Sequence, residues 1–335
     1  MSFLQSLDTS KAEPMENETG LGSLLEMLTY ARPAGSASET EFINRYIRPL
    51  DVTMDDFGNL MKEVPHKDVT NPVRVLWSCH TDTVHAAEGR QSVYADRQGY
   101  AGLSKKSKSS CLGADDTAGV WLMCQMIKRE VPGLYVFHRA EEIGGLGSSH
   151  IAEKTPELLE GILAAIALDR KGTTSIITHQ GSRCCSDAFA DSLASELNAL
   201  RSLGDDWTKD DTGTFTDTAN YTGLIGECTN LSVGYFQAHT KDECLDFRHL
   251  QDMLESLCDL DQSVLVFERE AGAVDPDDYE FRYDRKWTDY YSSWDNEEKG
   301  GLVDLVIEHP DAVADFLEQT GITREDLLAY VGRRF

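Results

Sequence analysis

Imidazole and carboxylate side chains follow three apolar segments of this sequence, each where the segment ends. His80 and Asp82 follow VRVLWSC. Glu141 and Glu142 follow LYVFHRA, and Asp169 follows ILAAIAL. Because the carboxyl ends of parallel strands line the binding crevice of an open α/β sheet, we expect these side chains at one rim. Imidazole and carboxylate groups are typical ligands of divalent metal ions. The pattern therefore predicts a metal site at the ends of three buried strands.

Two further candidate ligands stand outside these segments. Asp115 lies in GADDTAG, where a helix begins after a glycine, and His239 lies in QAHTKDE after the strand-like LSVGYF. Each has an ordinary alternative, since acids often cap helices and a single histidine is more often structural. An HxD motif is weak evidence by itself, and two adjacent acids can be a solvated strand end. All five candidate ligands together are hard to attribute to chance.

Elementary geometry gives some of these residues separate tasks. Adjacent residues of an extended segment point in opposite directions, so one of Glu141 and Glu142 can bind a metal while the other faces a substrate. Asp82 can accept a hydrogen bond from the second ring nitrogen of His80. Asp169 ends an apolar strand, where a buried carboxylate needs a cation or a donor.

Five motifs share their order with a known group of enzymes. HTDTV, GADDTAG, EEIGGLG, ALDRKG and SVGYFQAHTKDE resemble the motifs of the co-catalytic dizinc exopeptidase superfamily. This superfamily includes peptidase T-like tripeptidases, leucyl-type aminopeptidases and glutamate carboxypeptidases. The resemblance spans roughly residues 20–268, and GYFQAHT and EEIGGLG are most similar to the peptidase T branch.

The resemblance implies two zinc ions and a ligand set for each. It assigns His80 and Asp169 to the first ion, Glu142 and His239 to the second, and Asp115 to both. Two ions a few Å apart need a shared anionic ligand, which agrees with a bridging carboxylate. Manganese or cobalt could occupy the same nitrogen and oxygen ligands.

The resemblance also implies the catalytic groups. Asp82 would orient His80, and Glu141 would act as the general base. A water between two cations becomes acidic enough to lose a proton near neutral pH, and Glu141 would take that proton and pass it to the leaving amine. In this superfamily the peptide bond that corresponds to Asp115–Asp116 is often cis.

One departure from the peptidase T branch concerns the interval from Asp169 to His239. It is too short for the inserted lid domain of those enzymes, so we expect a single-lobed architecture. Two residues are candidates for substrate binding: Tyr235 as a hydroxyl donor and Arg170 as a cation for a substrate carboxylate. A buried sheet tyrosine and charge balance beside acids are the alternatives. Asp217, in GTFTDTANYT, is expected near the site but not as a ligand.

Strand-like and helical segments alternate along the chain, which predicts an α/β fold with a mixed, mostly parallel central sheet flanked by helices on both faces. We expect a flexible N-terminus over residues 1–18, a catalytic domain over 19–268, and an acidic aromatic arm with a short helical extension over 269–335. Ser38 is the expected N-cap of the second helix. Residues 85–112 are expected to form a surface excursion, and a long closing helix is expected over FRHLQDMLESLCDLDQSVLVF.

Composition excludes several other classes of protein. With 41% hydrophobic residues the chain is neither collagen-like nor wholly disordered. The net charge of −27 repels nucleic acid and anionic lipid, so neither is an expected partner. No run approaches the roughly 20 apolar residues of a membrane span. Eight cysteines without a CxxC pair indicate reduced thiols. Together with a start that lacks signal-peptide features, they predict a cytoplasmic protein.

The sequence thus predicts a zinc-dependent hydrolase of peptide bonds, an aminopeptidase or a peptidase of di- and tripeptides. A carboxypeptidase or an N-acyl amino acid deacylase could use the same site. A non-catalytic binding or structural protein that retains the fold is the alternative from another class, which the complete ligand set argues against. The C-terminal arm favours an added role in homo-oligomer assembly.

Overall fold

The computed structural model describes residues 20–67 and 73–275. The chain divides into two compact units, Met1–Asp275 and Pro276–Phe335, and the described residues all belong to the first. The expected flexible N-terminus, nearly all of the aromatic arm and the helical extension therefore lie outside the described residues. The domain boundaries stay a prediction.

Helices and strands alternate through the described chain. The helices are α1 (Leu21–Met27), α2 (Ala37–Phe42), α3 (Ala114–Lys128), α4 (Leu146–Lys154), α5 (Asp187–Leu200) and α6 (Phe247–Asp259). A π-helical turn, Ile43–Ile47, continues α2, and short 3-10 helices are Arg48–Leu50, Pro156–Leu159, Asp217–Tyr221 and Gln262–Val264. The strands are β1 (Tyr30–Ala31), β2 (Thr53–Met54), β3 (Leu60–Val64), β4 (Val75–His80), β5 (Gly89–Arg90), β6 (Val93–Ala95), β7 (Tyr100–Leu103), β8 (Gly133–His138), β9 (Ala164–Arg170), β10 (Ser175–Ile177), β11 (Thr208–Asp210), β12 (Glu227–Ser232), β13 (Tyr235–Phe236) and β14 (Cys244–Asp246).

Eight strands form one central sheet in the order β11-β10-β12-β9-β4-β8-β3-β2. Its middle four strands, β12, β9, β4 and β8, run parallel to one another. Antiparallel β3 and β2 close one edge. Since parallel neighbours end at the same rim, the segments that follow β4, β8 and β9 come together there. The predicted mixed, mostly parallel sheet is confirmed.

The sheet is packed on both faces, as its apolar strands require. Successive side chains of β4 point to opposite faces. Trp77 joins a cluster with residues of α3, α5 and α6, including Leu122 and Phe189. Leu76 joins a second cluster that includes Ile151 of α4. Helices therefore cover both faces, as the sequence predicts.

The chain between Asp169 and His239 holds no inserted domain. Its strands β10, β11 and β12 all belong to the central sheet, and α5 packs against β10 and β11. The remaining strand of the interval, β13, pairs with β14 in a smaller antiparallel sheet. The expectation of a single lobe without a lid is confirmed for this interval.

The predicted N-cap of the second helix is wrong by two residues. Ser36 rather than Ser38 caps α2, because its hydroxyl oxygen accepts the backbone N–H of Glu39 at 3.1 Å. Ser36 has the extended backbone that a cap requires, with φ −72° and ψ 160°, whereas Ser38 already lies inside the helix. The earlier start matters because it buries Glu39 in the first turn.

Three other predictions of local structure are corrected. Residues 85–112 contain β5, β6 and β7, and β6 and β7 join β13 and β14 in a four-stranded antiparallel sheet. Val93 and Ala101 supply the buried apolar side of this sheet, so the segment is not a surface excursion. LSVGYF is two strands, because Gly234 turns the chain with φ 92° between β12 and β13. The closing helix α6 ends at Asp259, and a 3-10 turn follows.

All eight cysteines lie in described residues and carry free thiols. Within the described ranges, no helix is both long enough and apolar enough to cross a membrane.

Candidate metal centre

One carboxylate stands between two imidazoles at the rim of the sheet. Asp115 begins α3, His80 ends β4, and His239 lies in the loop between β13 and β14. Asp115 Oδ1 is 3.1 Å from His80 Nε2, and Asp115 Oδ2 is 3.2 Å from His239 Nε2. Each oxygen of a single carboxylate therefore faces a different imidazole nitrogen. The peptide bond from Asp115 to Asp116 is cis.

A second carboxylate accompanies each imidazole. Asp169 Oδ1 is 3.5 Å from His80 Nε2, and Glu142 Oε2 is 3.5 Å from His239 Nε2. Ligand atoms at zinc distances in a tetrahedral arrangement lie about 3.4 Å apart, so these separations suit one cation in each set. Asp169 Oδ1 and Glu142 Oε1 are buried and have no hydrogen-bond partner among the described residues. Both observations fit two cations that share Asp115.

Two overlapping groups of side chains have ligand atoms within 4.8 Å of one another: His80 with Asp115 and Glu142, and His80 with Asp116 and Asp169. The second group contains Asp116 instead of its neighbour. Both oxygens of Asp116 already accept backbone N–H groups, that of His80 at 3.2 Å and one within α3 at 2.8 Å. Those bonds hold the Asp116 carboxylate against the backbone, whereas the two oxygens of Asp115 face the imidazoles of His80 and His239.

The protonation of the cluster reflects its surplus of negative charge. Hydrogen bonds to Asp115 and Glu142 raise the pKa of His239 to about 11. Burial and then the charge of Asp115 raise the pKa of Asp169 to about 6. Without a cation, His239 thus keeps at neutral pH a proton that an ordinary imidazole would release. A divalent ion offsets the same negative charge and displaces that proton.

Glu141 lies beside the two ligand sets without belonging to either. Its Oε2 is 4.0 Å from His80 Nε2, and its side chain is 11% exposed. Burial and then the charges of Asp169 and Asp217 raise the pKa of Glu141 well above its ordinary value. A buried carboxyl with a raised pKa, close to both ligand sets, is suited to accept and release a proton.

Asp82 connects the ends of β4 and β8. Its backbone carbonyl oxygen is 3.1 Å and its Oδ1 is 3.5 Å from His80 Nδ1, the ring nitrogen that faces away from Asp115. The same carboxylate accepts the backbone N–H groups of Glu141 at 3.1 Å and Glu142 at 3.2 Å. Asp82 therefore orients an imidazole and also fixes the segment that carries two acidic side chains. The sequence predicts only the first of these tasks for Asp82.

The chain reaches this rim through backbone conformations that side chains rarely adopt. Ala140, which precedes Glu141, has φ 63°, and His239 has φ 66°. Non-glycine residues in the left-handed region cost free energy and persist where the surroundings enforce them, often at functional sites. Here they occur in two of the loops that deliver acidic and imidazole groups.

Comparison with known proteins finds solved structures that share this fold. No protein-family model matches the sequence, and no curated protein matches it. Aminopeptidase PepT from Bacillus cereus ATCC 10987 is similar in structure, with a TM-score of 0.55, 16% identity, and 72% of this chain and 96% of that chain covered. A tripeptidase from Staphylococcus aureus subsp. aureus Mu50 has a TM-score of 0.54, 13% identity, and 72% and 99% covered. The TET1 peptidase of Pyrococcus horikoshii has a TM-score of 0.50, 16% identity, and 72% and 99% covered.

The chain shares the fold of these peptidases. This likeness concerns the fold, and it agrees with the fold that the sequence resemblance implies. Identities this low show a shared fold and no shared chemistry. The chemistry of the site depends on this chain's own side chains.

Asp169 is held by residues that sequence reasoning missed. Asn230 of β12 accepts its backbone N–H at 2.9 Å, and the Thr216 hydroxyl donates to Asp169 Oδ2 at 2.7 Å. These bonds leave Oδ1 facing His80. Neither residue lies in a motif that marks a metal site: Asn230 lies in β12, the strand beside β9, and Thr216 directly precedes the 3-10 helix Asp217–Tyr221.

The two residues expected to bind substrate have polar contacts within the protein, and their role toward a substrate stays a prediction. Tyr235 is buried, and its hydroxyl donates to the backbone carbonyl of Asp169 at 2.8 Å, so its one proton supports the strand end rather than a substrate. Arg170 donates to the Thr212 carbonyl at 3.1 Å and hydroxyl at 3.0 Å, and lies 3.8 Å from Asp210. Structural support and charge balance, the alternatives for these residues, describe their contacts better.

Asp217 contacts side chains of α4 and β8. Its Oδ1 accepts a hydrogen bond from Ser148 at 2.5 Å, and its Oδ2 is 3.3 Å from His138 Nδ1. Burial raises the pKa of Asp217 to about 8. The residue is close to the ligand cluster but belongs to neither of the groups that could hold a metal ion.

Proposed function

We propose that this protein is a metal-dependent exopeptidase, an aminopeptidase or a peptidase of di- and tripeptides that uses two divalent ions. The observation that carries the proposal is the Asp115 carboxylate, whose two oxygens each face a different imidazole nitrogen. The fold shared with an aminopeptidase and a tripeptidase supports the choice of a peptide substrate.

In this proposal His80 and Asp169 bind one ion, His239 and Glu142 bind the other, and Asp115 binds both. Nitrogen and oxygen ligands favour zinc, with manganese and cobalt as further candidates. When bound, the two ions would polarise the scissile carbonyl and acidify the attacking water.

The remaining steps belong to the protein's own groups. Glu141 accepts the proton of the attacking water and returns it to the departing amine. Asp82 holds the backbone of Glu141 and orients the His80 ring, so both stay fixed while the proton moves. The buried position of Glu141 excludes bulk water from its carboxyl and raises its pKa above the ordinary value, which strengthens it as a base toward the attacking water.

Turnover of small peptides by metal-loaded protein tests the proposal. A panel of di- and tripeptides, each with a free and an N-acetylated amino terminus, is assayed before and after metal removal. Hydrolysis of the free-amine series alone is expected, lost with a chelator and restored by zinc. Hydrolysis of both series would favour a carboxypeptidase, which needs only a free carboxyl terminus, and hydrolysis of the blocked series alone would favour an N-acyl amino acid deacylase. No hydrolysis of either series by fully loaded protein would favour a non-catalytic role.

Two further properties accompany this proposal. We place the protein in the cytoplasm, supported by eight free thiols that a reducing compartment preserves. We also propose a homo-oligomer, supported by the related fold of the TET1 peptidase, which can assemble into a tetrahedron or a large octahedral shell. Light scattering of the full chain tests assembly, and a monomer at assay concentration would contradict it.

A further inference from the structure

A buried carboxylate outside the ligand sets holds the segment that carries Asp115. Glu243 is 1% exposed. Its Oε2 accepts the backbone N–H groups of Leu112 at 2.8 Å and Gly113 at 2.9 Å, and its Oε1 accepts that of Asp115 at 3.1 Å. Three backbone N–H groups thus converge on one side chain, just where the chain enters α3.

Glu243 is itself fixed by the loop that carries His239. It stands four residues after His239 and directly before β14, and its backbone N–H donates to Thr240. Strand β14 pairs with β7, with Cys244 opposite Gly102, so the position of Glu243 is set by a sheet. The Glu243 carboxylate therefore connects the two loops that place Asp115 and His239 3.2 Å apart.

The arrangement needs both oxygens of a carboxylate. The donors approach from two sides, and a glutamine could accept on one side only while its NH₂ group faced an N–H on the other. The segment has little room to shift in compensation. Gly113 has φ 72°, and it lies so close to the His85 ring that a side chain at this position would meet the ring. A buried anion also costs free energy unless donors satisfy it, and here three backbone N–H groups do so.

We propose that Glu243 is a positioning residue of the metal centre, which holds Asp115 between the two ligand sets by binding the backbone around it. This inference rests on the proposed two-metal function. It makes the spacing between Asp115 and His239 depend on a residue that touches neither metal nor substrate.

The chain offers a matched control in Glu227, a second buried carboxylate that binds backbone. It accepts the N–H groups of Ser186 at 2.6 Å, Glu268 at 2.9 Å and Arg269 at 2.8 Å. Glu227 begins β12 and pairs in register with Ala164, at the opposite end of the sheet from the metal centre. Replacement of either glutamate should cost stability, but only Glu243 should change metal binding.

The experiment titrates cobalt(II) into metal-free wild type, Glu243→Gln, Glu243→Asp and Glu227→Gln, followed by calorimetry and by the visible absorption of bound cobalt. Loss of a group that orients metal ligands typically weakens binding about 10- to 100-fold, and we expect this loss in Glu243→Gln. Its cobalt absorption should change in shape, because the ligand geometry changes. Glu243→Asp keeps the charge on a shorter side chain. Its affinity for cobalt should therefore lie between those of wild type and Glu243→Gln. Glu227→Gln should match wild type in affinity and absorption.

The outcomes separate this inference from the function on which it rests. Wild-type affinity and absorption in Glu243→Gln, with two ions bound to wild type, would overturn the role of Glu243 and leave the two-metal function standing. If Glu243→Gln does not fold, Glu243→Asp decides, and wild-type absorption and affinity there would overturn it equally. Failure of the wild type itself to bind cobalt would overturn the metal function and this inference together.

Discussion

The Asp82 carboxylate accepts the backbone N–H of Glu141 at 3.1 Å, although Asp82 follows β4 and Glu141 follows β8. The same carboxylate stands 3.5 Å from the ring of His80. One buried side chain thus couples an expected metal ligand to the expected general base. Burial raises the pKa of Asp82, but the hydrogen bonds with His80 and with backbone N–H groups outweigh it and lower the pKa below its ordinary value.

Replacement of Asp82 by Asn should reduce turnover while much of the metal is retained. The amide keeps the size of the side chain but turns an NH₂ group toward one of its donors, so Glu141 and His80 lose their fixed relation. We expect kcat to fall about 10- to 100-fold, with weaker metal binding and a smaller change in KM. Steady-state kinetics on a hydrolysed peptide measure the change.

The control for Asp82 is Asp96→Asn. Asp96 likewise accepts two backbone N–H groups, those of Gln98 at 2.8 Å and Tyr100 at 2.9 Å, but at the turn between β6 and β7. The kcat of the Asp96→Asn variant should equal that of wild type. An unchanged kcat in Asp82→Asn would contradict the proposal that Asp82 couples His80 to Glu141.

Replacement of Glu141 by Gln should separate catalysis from metal binding. The amide cannot take a proton from the attacking water, and loss of a general base typically costs about 10²- to 10⁴-fold in rate. Because Glu141 belongs to neither ligand set, metal content should stay at the wild-type value. Parallel metal analysis and kinetics on one preparation test this, and full activity with full metal content would eliminate the assigned base.

Loss of Arg139 should destabilise the fold. Arg139 donates to the buried carboxylate of Glu39 at 2.6 and 2.8 Å, and Thr81, next to His80, donates to the same carboxylate at 2.6 Å. Removal of one partner leaves a buried charge uncompensated, so Arg139→Met should lower the free energy of unfolding by about 3 kcal/mol. Urea denaturation measures it.

Arg45→Met provides the comparison. Arg45 pairs with Glu26 at 2.5 Å, but both side chains are exposed, at 51% and 43%. Exposed pairs contribute at most about 1 kcal/mol, so this variant should lose little stability. Equal losses in the two variants would show that burial of Glu39 does not govern the effect.

His85 should make stability depend on pH. Burial lowers the pKa of His85 to about 4 from an ordinary 6.5, and its ring nitrogens lie 2.7 Å from Thr83 Oγ1 and 3.0 Å from Gln91 Oε1. The unfolded chain therefore binds a proton between pH 6.5 and 4 that the folded chain does not. The contribution of neutral His85 is complete above pH 6.5 and declines as pH falls toward 4, by at most about 1.4 kcal/mol per pH unit.

The difference in unfolding free energy between wild type and His85→Gln isolates this contribution, since all other titrating groups are shared. It should be constant above pH 6.5 and shrink as the pH falls from 6.5 to 4. A difference that does not vary with pH would contradict the lowered pKa of His85.

The sequence was informative where a single local rule applied. Apolar strands followed by acids or histidine predicted which side chains meet at the rim, because the carboxyl ends of parallel neighbours must share one edge. Capping was less well predicted, since Ser36 and Ser38 both precede a helical pattern and only backbone conformation distinguishes them. Asn230 and Thr216 support Asp169 from separate elements, and no spacing in the sequence reveals such contacts.

Tertiary contacts also decide where the polar atoms of two expected substrate-binding residues lie. Tyr235 and Arg170 stand near the site in the chain, but their polar atoms bind the backbone of Asp169 and the Thr212 segment instead. Glu243 could be found only after the loops were placed, because its donors lie about 130 residues earlier. A carboxylate four residues beyond a ligand is otherwise indistinguishable from a surface acid.

The central claim is that two ions share Asp115. Metal analysis of the loaded wild type, Asp115→Ala and Glu227→Gln tests it most directly. The account predicts two ions per chain in wild type and in Glu227→Gln, and loss of both metal and activity in Asp115→Ala. A folded Asp115→Ala that keeps two ions, or an active wild type that holds none, would contradict it.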